Sequence, residues 1–593
     1  MRIEPPSRRR LSEAARGIIP CDLVIAHVQL VNCLTGEIYP ADVGILDGFF
    51  AAVSADPDRL GTSFPIEGKR VIDGQGQYLI PGFIDSHLHI ESSMVTPPTM
   101  AETTLPLGTT SLVTDPHEVA NVGGLEAVAY MVEASRDLPQ RQYIMAPSCV
   151  PAVPELEGAG ASFGAEEIEA ILSMERVLGI AEVMDCAGVI NRSERIEAIL
   201  DAGLRRGVFL QGHAPFLSGR RLNAYLTAGI QSDHESRTGA EAREKLRLGM
   251  HVDAREGSVS TNVTAVVEAV KDFPFLDDLS LCTDDREPHD LIVQGHMNYV
   301  VARAVKAGLS PVQAIRSATL NPARELGFVN LGAVAPGWAA DCQLVEDISH
   351  PRPSLVIVDG RIVAENGRLT QPIQRRTFPA EGRNTVRLTA PSLDNFKIPA
   401  PAGAGEQVRM RVLRYQSPDT SLTDLTEETV QVTDGYVDLS GRPDLKFAAV
   451  FNRHGAGTKF TAVVKDFGIR EGAVASTVTH DSHNLAVVYD RPENALVAVE
   501  ALMKSGGGHA AVKDGELIGL VPLPIFGLLS PLPCEKLIPT VEHQKEVLRS
   551  LGLNTKNPVM RITSLALPVI PHGKISDRGM IDVDRQEFVP LFC

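Results

Sequence analysis

Two histidines separated by one residue, His87 and His89, close an apolar run that begins at Ile80. On a strand such a pair projects both imidazoles to one side, the arrangement of a metal-binding pair. Two chance histidines on one strand face would look the same, so the reading depends on further ligands elsewhere in the chain. Strand-like segments end in Asp115 and His117, in Glu182 and Asp185, in His213, in His234 and Glu235, in Arg255 and Glu256, and in Asp284 and Asp285. A two-metal hydrolytic centre needs neutral imidazoles, carboxylates and an oxygen donor shared between ions about 3.5–4 Å apart. In that design His87 and His89 hold one metal, His213 and His234 hold the other, and Glu182 bridges them. Asp284 binds one metal and accepts a proton from bridging water.

These residues need a scaffold that brings many strand ends to one place. Eight strand candidates run from 81 to about 330: Phe83 to His89, Thr109 to Thr114, Gln142 to Ala146, Gly179 to Met184, Val208 to Gly212, Ile230 to His234, Met250 to Arg255 and Leu279 to Thr283. Amphipathic stretches at Ala165 to Leu178, Arg192 to Arg206, Ala240 to Leu248 and His289 to Ala307 lie between or after them. Alternating β and α units over about 250 residues predict an α/β fold, a (β/α)8 metal-dependent hydrolase barrel with its strand ends converging on one mouth.

The flanks read differently. Residues 1–80 hold an N-terminal arm and short strand-like runs, and 335–371 share that texture, so the returning chain is expected to complete one small composite β-domain around a barrel of 81–334. Residues 372–593 open with Pro/Gly-rich loops and continue as strands at Gln407 to Tyr415, Thr429 to Asp438, Phe447 to Phe451 and Phe460 to Lys465. Helical patterns at Arg491 to Ser505 and Thr540 to Leu551 make this a C-terminal α+β domain. Ser505-Gly-Gly-Gly-His509 lacks the Gly-Lys-Ser/Thr ending of a phosphate loop and reads as a turn.

Composition bounds the partners. The 593 residues are 44% hydrophobic and 22% charged, ordinary for a folded soluble chain. A net charge of -18 argues against nucleic acid as a partner, since phosphate backbones are bound by clustered Lys and Arg. The one basic run, Arg8-Arg9-Arg10, reads as a solvated tail. No long apolar run or signal-peptide core appears, so no membrane span and a cytoplasmic location are expected. The eight cysteines are scattered without a C-x-x-C pair and read as reduced thiols, Cys149, Cys186 and Cys282 among them as small core residues.

The motifs carrying the candidate ligands resemble a known family. His-x-His on strand 1, Glu on strand 4, single histidines on strands 5 and 6 and Asp on strand 8 are similar to the amidohydrolase superfamily, as are Ala318-Thr-Leu-Asn-Pro-Ala323 and Pro336-Gly-Trp-Ala-Ala-Asp341. Pro81-Gly-Phe-Ile-Asp-Ser-His-Leu-His-Ile-Glu-Ser-Ser93, Thr114-Asp-Pro-His-Glu-Val-Ala-Asn121, Ala181-Glu-Val-Met-Asp185, Gly212-His-Ala-Pro215, Ser232-Asp-His-Glu235, Arg255-Glu-Gly-Ser258, Cys282-Thr-Asp-Asp285 and Thr479-His-Asp-Ser-His-Asn484 resemble the adenine deaminase family more closely, over nearly the whole chain. Glu182 stands where many superfamily members carry a carbamylated lysine, and adenine deaminases share that departure.

The resemblance implies hydrolysis of free adenine to hypoxanthine and ammonia at two divalent ions, manganese or iron with zinc as a further option. Metal-bridging hydroxide would attack C6, Glu235 would protonate a ring nitrogen and Asp284 would shuttle a proton to the leaving amine. Glu91, Ser93, Asp115, His117, Glu118, Asp185, Arg255, Ser258, Asp285, His480, Asp481 and His483 are candidates for orienting ligands or touching substrate. For Asp115, His117 and Glu118 simple loop capping is the alternative, for Arg255 and Ser258 a loop-closing contact, and for the His480 cluster a turn with satisfied side chains. A homo-oligomer is expected. Two other functions compete: a cyclic amide or imide hydrolase of the dihydroorotase or hydantoinase type, disfavoured by the missing strand-4 lysine, and a non-catalytic metal-binding scaffold, disfavoured by the complete ligand set.

Overall fold

The computed structural model describes residues 1–593. Eight parallel strands form the barrel: β1 (Phe83–Leu88), β2 (Thr109–Thr114), β3 (Arg141–Ala146), β4 (Val177–Val183), β5 (Phe209–Gly212), β6 (Ser232–Asp233), β7 (His251–Arg255) and β8 (Leu279–Cys282). β1 to β5 pair in sequence, as do β6 to β8. The two groups join through Gln231 N–H donating to the Leu210 carbonyl (2.9 Å) and Asp284 N–H donating to the His87 carbonyl (3.0 Å), which closes the ring. Every residue of β1, β2, β7 and β8 is buried, as both faces of a parallel sheet must be. That is why these strands read as apolar runs rather than alternating patterns.

Several elements depart from the sequence reading. The stretch His289 to Ala307 is two helices, Pro288–Val293 and Met297–Ala307. They are separated at Gly295, whose φ of 112° interrupts the helix, and the Asn298 side chain accepts from His296 N–H to start the second helix. Between β2 and β3 runs α1 (His117–Ala134), buried on nearly every side and so lacking an amphipathic stripe for sequence to show. The N-terminal basic run is no free tail: it forms the helix Arg8–Ala15, with Arg10 paired to Asp47 at 2.8 Å and Ile3 N–H donating to Asn330.

Strands from the two flanks share one sheet. Tyr78–Pro81, which leads directly into β1, pairs antiparallel with Cys342–Val345 in the register Cys342 with Pro81. The sheet then extends to Phe49–Ala55 on one side and to Arg368–Leu369 on the other. The C-terminal region holds a nine-stranded sheet covered by α2 (Pro492–Ser505), followed by α3 (Cys534–Ser550). α3 starts earlier than the pattern suggested and carries Pro539 within it. The run Thr429 to Asp438 is the end of a hairpin, Thr423–Thr433 and Tyr436–Asp438. Ser505 to His509 is a turn from α2 into the strand Gly508–Lys513. All eight cysteines are free. No helix is long and apolar enough to cross a membrane.

Close backbone approach sets the position of β5, whose end carries His213. A Cβ on Gly212 would overlap the Ser232 carbonyl oxygen and stand 2.6 Å from Ile230 Cγ2. Gly212→Ala is therefore expected to cost about 1–3 kcal/mol of overpacking and to lower the thermal unfolding midpoint. An unchanged midpoint would show that β5 and β6 have room to separate.

Candidate functional site

The polar strand ends meet at one mouth of the barrel, where His87, His89, Glu182, His234, Glu235 and Asp284 are all buried and His213 is half-buried. β1 is fixed first. Asp85 accepts from Thr283 Oγ1 at 2.6 Å and faces His296 Nε2 at 3.2 Å, so the strand carrying both histidines is tied to β8. Asp284 then leaves β8 in the left-handed backbone region (φ 57°), sparsely populated by residues other than glycine, and turns its carboxylate onto the β1 histidines. Its Oδ1 lies 3.7 Å from His87 Nε2 and 3.4 Å from His89 Nε2.

Glu182 lies between the two imidazole sets. Its Oε1 is 3.5 Å from His89 Nε2, and its Oε2 is 3.2 Å from His234 Nε2 and 2.7 Å from His213 Nδ1. Burial alone would raise the Glu182 carboxyl, but His213, His234 and His89 outweigh it and hold it well below the usual carboxylate range. The histidine orientations are set from behind. The Asp115 carbonyl accepts from His89 Nδ1 at 3.0 Å, and Gln211, donating its amide to the Ser86 carbonyl, presents Oε1 to His87 Nδ1 at 3.4 Å. Both Nδ1 atoms face acceptors, so each Nε2 is the nitrogen turned to the centre, the one a metal ligand would use.

These donors fit a divalent metal site. His87 Nε2 is buried without a hydrogen-bond partner. Burial and His117 push the His89 imidazole down, yet Glu182, Asp285 and Asp115 outweigh them and raise it to about 9, a mark of excess buried negative charge. A divalent cation offsets such an excess.

Arg255 links the two acids expected to move protons. Its guanidinium pairs with Asp284 through Nη1 and with Glu235 Oε1 through Nη2 at 2.7 Å, while Arg237 reaches Glu235 Oε2 at 2.8 Å. Burial raises the Glu235 carboxyl, but Arg255, His213, Arg237 and His234 bring it down to about 2. Glu235 is thus held as a carboxylate.

The remaining candidates divide by position. His117 Nδ1 lies 3.2 Å from Asp115 and 3.5 Å from Glu182 Oε1, at the edge of the centre. Asp285 accepts from Ser92 at 2.6 Å beside His89 and Asp284. Glu91 accepts from Val119 N–H, and Ser93 donates to the Arg286 carbonyl at 2.6 Å; both brace the turn after β1. Glu118, His480, Asp481 and His483 gather where α1 meets the C-terminal region. Asp185 and Ser258 have structural tasks. Asp185 caps the helix Cys186–Asn191 by accepting from Gly188 N–H, and Ser258 donates to Asp290 at 2.5 Å, closing a loop.

Three supporting residues escaped the sequence reading. Gln211 was legible as a polar residue in a buried strand, whereas Arg237 and Lys245 carry no such signal. Lys245 is fully buried below the mouth: its Nζ donates to Asp233 Oδ2 (2.8 Å) and the Ala214 carbonyl (2.7 Å), while Asp233 Oδ1 accepts from Ala214 N–H (2.8 Å). The pair clamps the loops after β5 and β6 that carry His213 and His234. Burial raises Asp233, but Lys245 and His234 outweigh it and depress it far below its ordinary value.

Lys245→Met should cost about 3–5 kcal/mol by leaving the Asp233 charge buried and unpaired, and Asp233→Asn in the same chain should recover part of the loss in thermal unfolding. The depressed carboxyl stabilises the fold above the ordinary aspartate value near 4, and that contribution falls away as the pH drops below it. Equal melting of wild type and Lys245→Met at neutral pH would overturn this account.

The chain is similar to known proteins along its full length. The amidohydrolase family model matches residues 78–363, and the adenine deaminase C-terminal domain model matches residues 420–587. Relatives include "Adenine deaminase 2" of Carboxydothermus hydrogenoformans, 40% identical over 98% of this chain and 99% of that protein. The adenine deaminase of Methanothrix thermoacetophila is 39% identical over 100% of both chains, and that of Moorella thermoacetica 38% identical over 99% of both. With its barrel, its mouth of histidines and carboxylates and its C-terminal region all matched, the chain belongs to the adenine deaminase family of the amidohydrolase superfamily.

Proposed function

We propose that this chain hydrolyses free adenine to hypoxanthine and ammonia. The observation that carries the reading is Glu182, which faces the β1 histidines with one oxygen and the β5 and β6 histidines with the other, beside two acids joined by one arginine. Full-length relatives named adenine deaminase give the substrate.

In this reading His87, His89, Asp284, His213, His234 and Glu182 would hold two divalent ions. When bound, the ions, manganese or iron, supply a water of lowered pKa and offset negative charge near the reacting carbon. Protons set the remaining tasks. Adding water at C6 and breaking the bond to the exocyclic nitrogen moves two water protons, one to ring N1 and one to the leaving amine. Two carboxylates are present for them. Glu235, ionised at rest by Arg255 and Arg237, takes one proton and passes it to N1. Asp284 takes the other and passes it to the amine. Arg255 pairs with both carboxylates and holds them beside one another. The acidic balance of the chain suits a free base better than a polynucleotide.

Metal-replete protein is expected to turn over adenine, with loss of its absorbance and release of ammonia, and to leave hydantoin and dihydroorotate untouched. Turnover of a cyclic amide without adenine turnover would transfer the reading to that class, and no turnover of either would leave a metal-binding scaffold. Glu235→Gln should lower kcat about 10²- to 10⁴-fold with metal content unchanged. Glu182→Gln should instead lose bound metal, measured by elemental analysis; full metal retention would remove Glu182 from the ligand set.

A further inference from the structure

A second group of metal-type donors lies outside the centre described above, where the start of α1 meets the loop Thr479 to Asn484. His117 Nε2 and His480 Nδ1 each stand 3.7 Å from Asp481 Oδ1, and Glu118 Oε1 is 4.0 Å from His480 Nδ1. These spacings are too long for hydrogen bonds. They are close to the separation of about 3–3.6 Å between ligands that each sit about 2.0–2.2 Å from one ion.

His117, Glu118 and Asp481 are buried, and both carboxylates are short of partners. Glu118 is 1% exposed and Asp481 3%, and each keeps one carboxylate oxygen, Oε2 and Oδ2, without a hydrogen-bond partner. The nearest hydroxyl, Ser92 Oγ, has one proton and lies 2.6 Å from Asp285 against 3.1 Å from Glu118. Two carboxylates packed against imidazoles with so few donors are costly unless a cation is shared among them.

The histidine roles follow from their other nitrogens. His117 Nδ1 faces the Asp115 carboxylate at 3.2 Å and so carries its proton there, which leaves Nε2 as a lone pair toward Asp481. His483 is the reverse. Its Nδ1 accepts from Thr479 N–H at 3.2 Å, so Nε2 holds the proton and points at Glu118 Oε2, 3.7 Å away. His483 thus presents a proton, not a lone pair, toward Glu118 and is not among the ligands.

We propose that His117, Glu118, His480 and Asp481 form an additional site for a divalent transition-metal cation, separate from the Glu182 centre and shared between the barrel and the C-terminal region. His117 and Glu118 come from the barrel, His480 and Asp481 from the far part of the chain. The ion ties the two together, and through His117 it holds Asp115, whose carbonyl orients His89. His480, the one partly exposed member, gives the entry path.

The test compares zinc bound per chain at saturation, by equilibrium dialysis and elemental analysis, in full-length wild type and in His480→Gln and Asp481→Asn. Each variant is expected to bind one zinc fewer than wild type. Equal zinc in wild type and variants overturns the site. Because the difference decides, the outcome is independent of how many ions the Glu182 centre holds. If the variants fail to fold, anomalous diffraction at the zinc edge from wild-type crystals decides instead: a peak bonded to these four residues supports the site, and its absence from zinc-loaded crystals overturns it.

Discussion

Charge buried at the rim of a closed barrel is the constraint around which the structure is arranged. Parallel strands with both faces covered exclude water, and here five carboxylates, Asp115, Glu182, Glu235, Asp284 and Asp285, are gathered at their ends. None is tolerable there alone. Glu182 is offset by three histidines, Glu235 by two arginines, and Asp284 by Arg255 and the β1 imidazoles. The same balances make the residues useful. They hold Glu182 and Glu235 below the usual carboxylate range and bring carboxylates and imidazoles to one point, an arrangement suited to a divalent cation.

Support for that arrangement is layered below the mouth. Asp85 ties β1 to β8, and the Lys245–Asp233 pair fastens the loops after β5 and β6. Neither contact reaches the reacting atoms, yet between them they locate the four histidines of the centre. Gln211 performs a similar task for one imidazole, through an amide fixed by the backbone of β1 across the barrel.

Much of this was legible in the sequence, and the physical reason is the barrel itself. Parallel strands are buried on both sides, so a polar residue interrupting an apolar run marks a strand end, and His87, Glu182, His213, His234 and Asp284 were found that way. Elements without such contrast were harder to read. α1 is buried all round and shows no stripe, and the break at Gly295 depends on a left-handed residue that the surrounding helical pattern conceals. Asp185 and Ser258 sit beside family motifs but turn away from the centre, because capping a helix and closing a loop use the same side chains as chemistry does. Lys245 and Arg237 lie on ordinary polar positions, and only the folded chain shows that one is buried and the other reaches Glu235.

The pairing of Tyr78–Pro81 with Cys342–Val345 has a bearing on how the chain is made. The strand that feeds His87 and His89 into the barrel is an unpaired edge on that side until more than 260 further residues have been synthesised. During synthesis that sheet edge therefore stays unpaired for as long as the whole barrel takes to emerge, and open edges of this kind favour association with other chains. The order of translation, and not the final contacts alone, thus decides when the ligand-bearing strand becomes fixed.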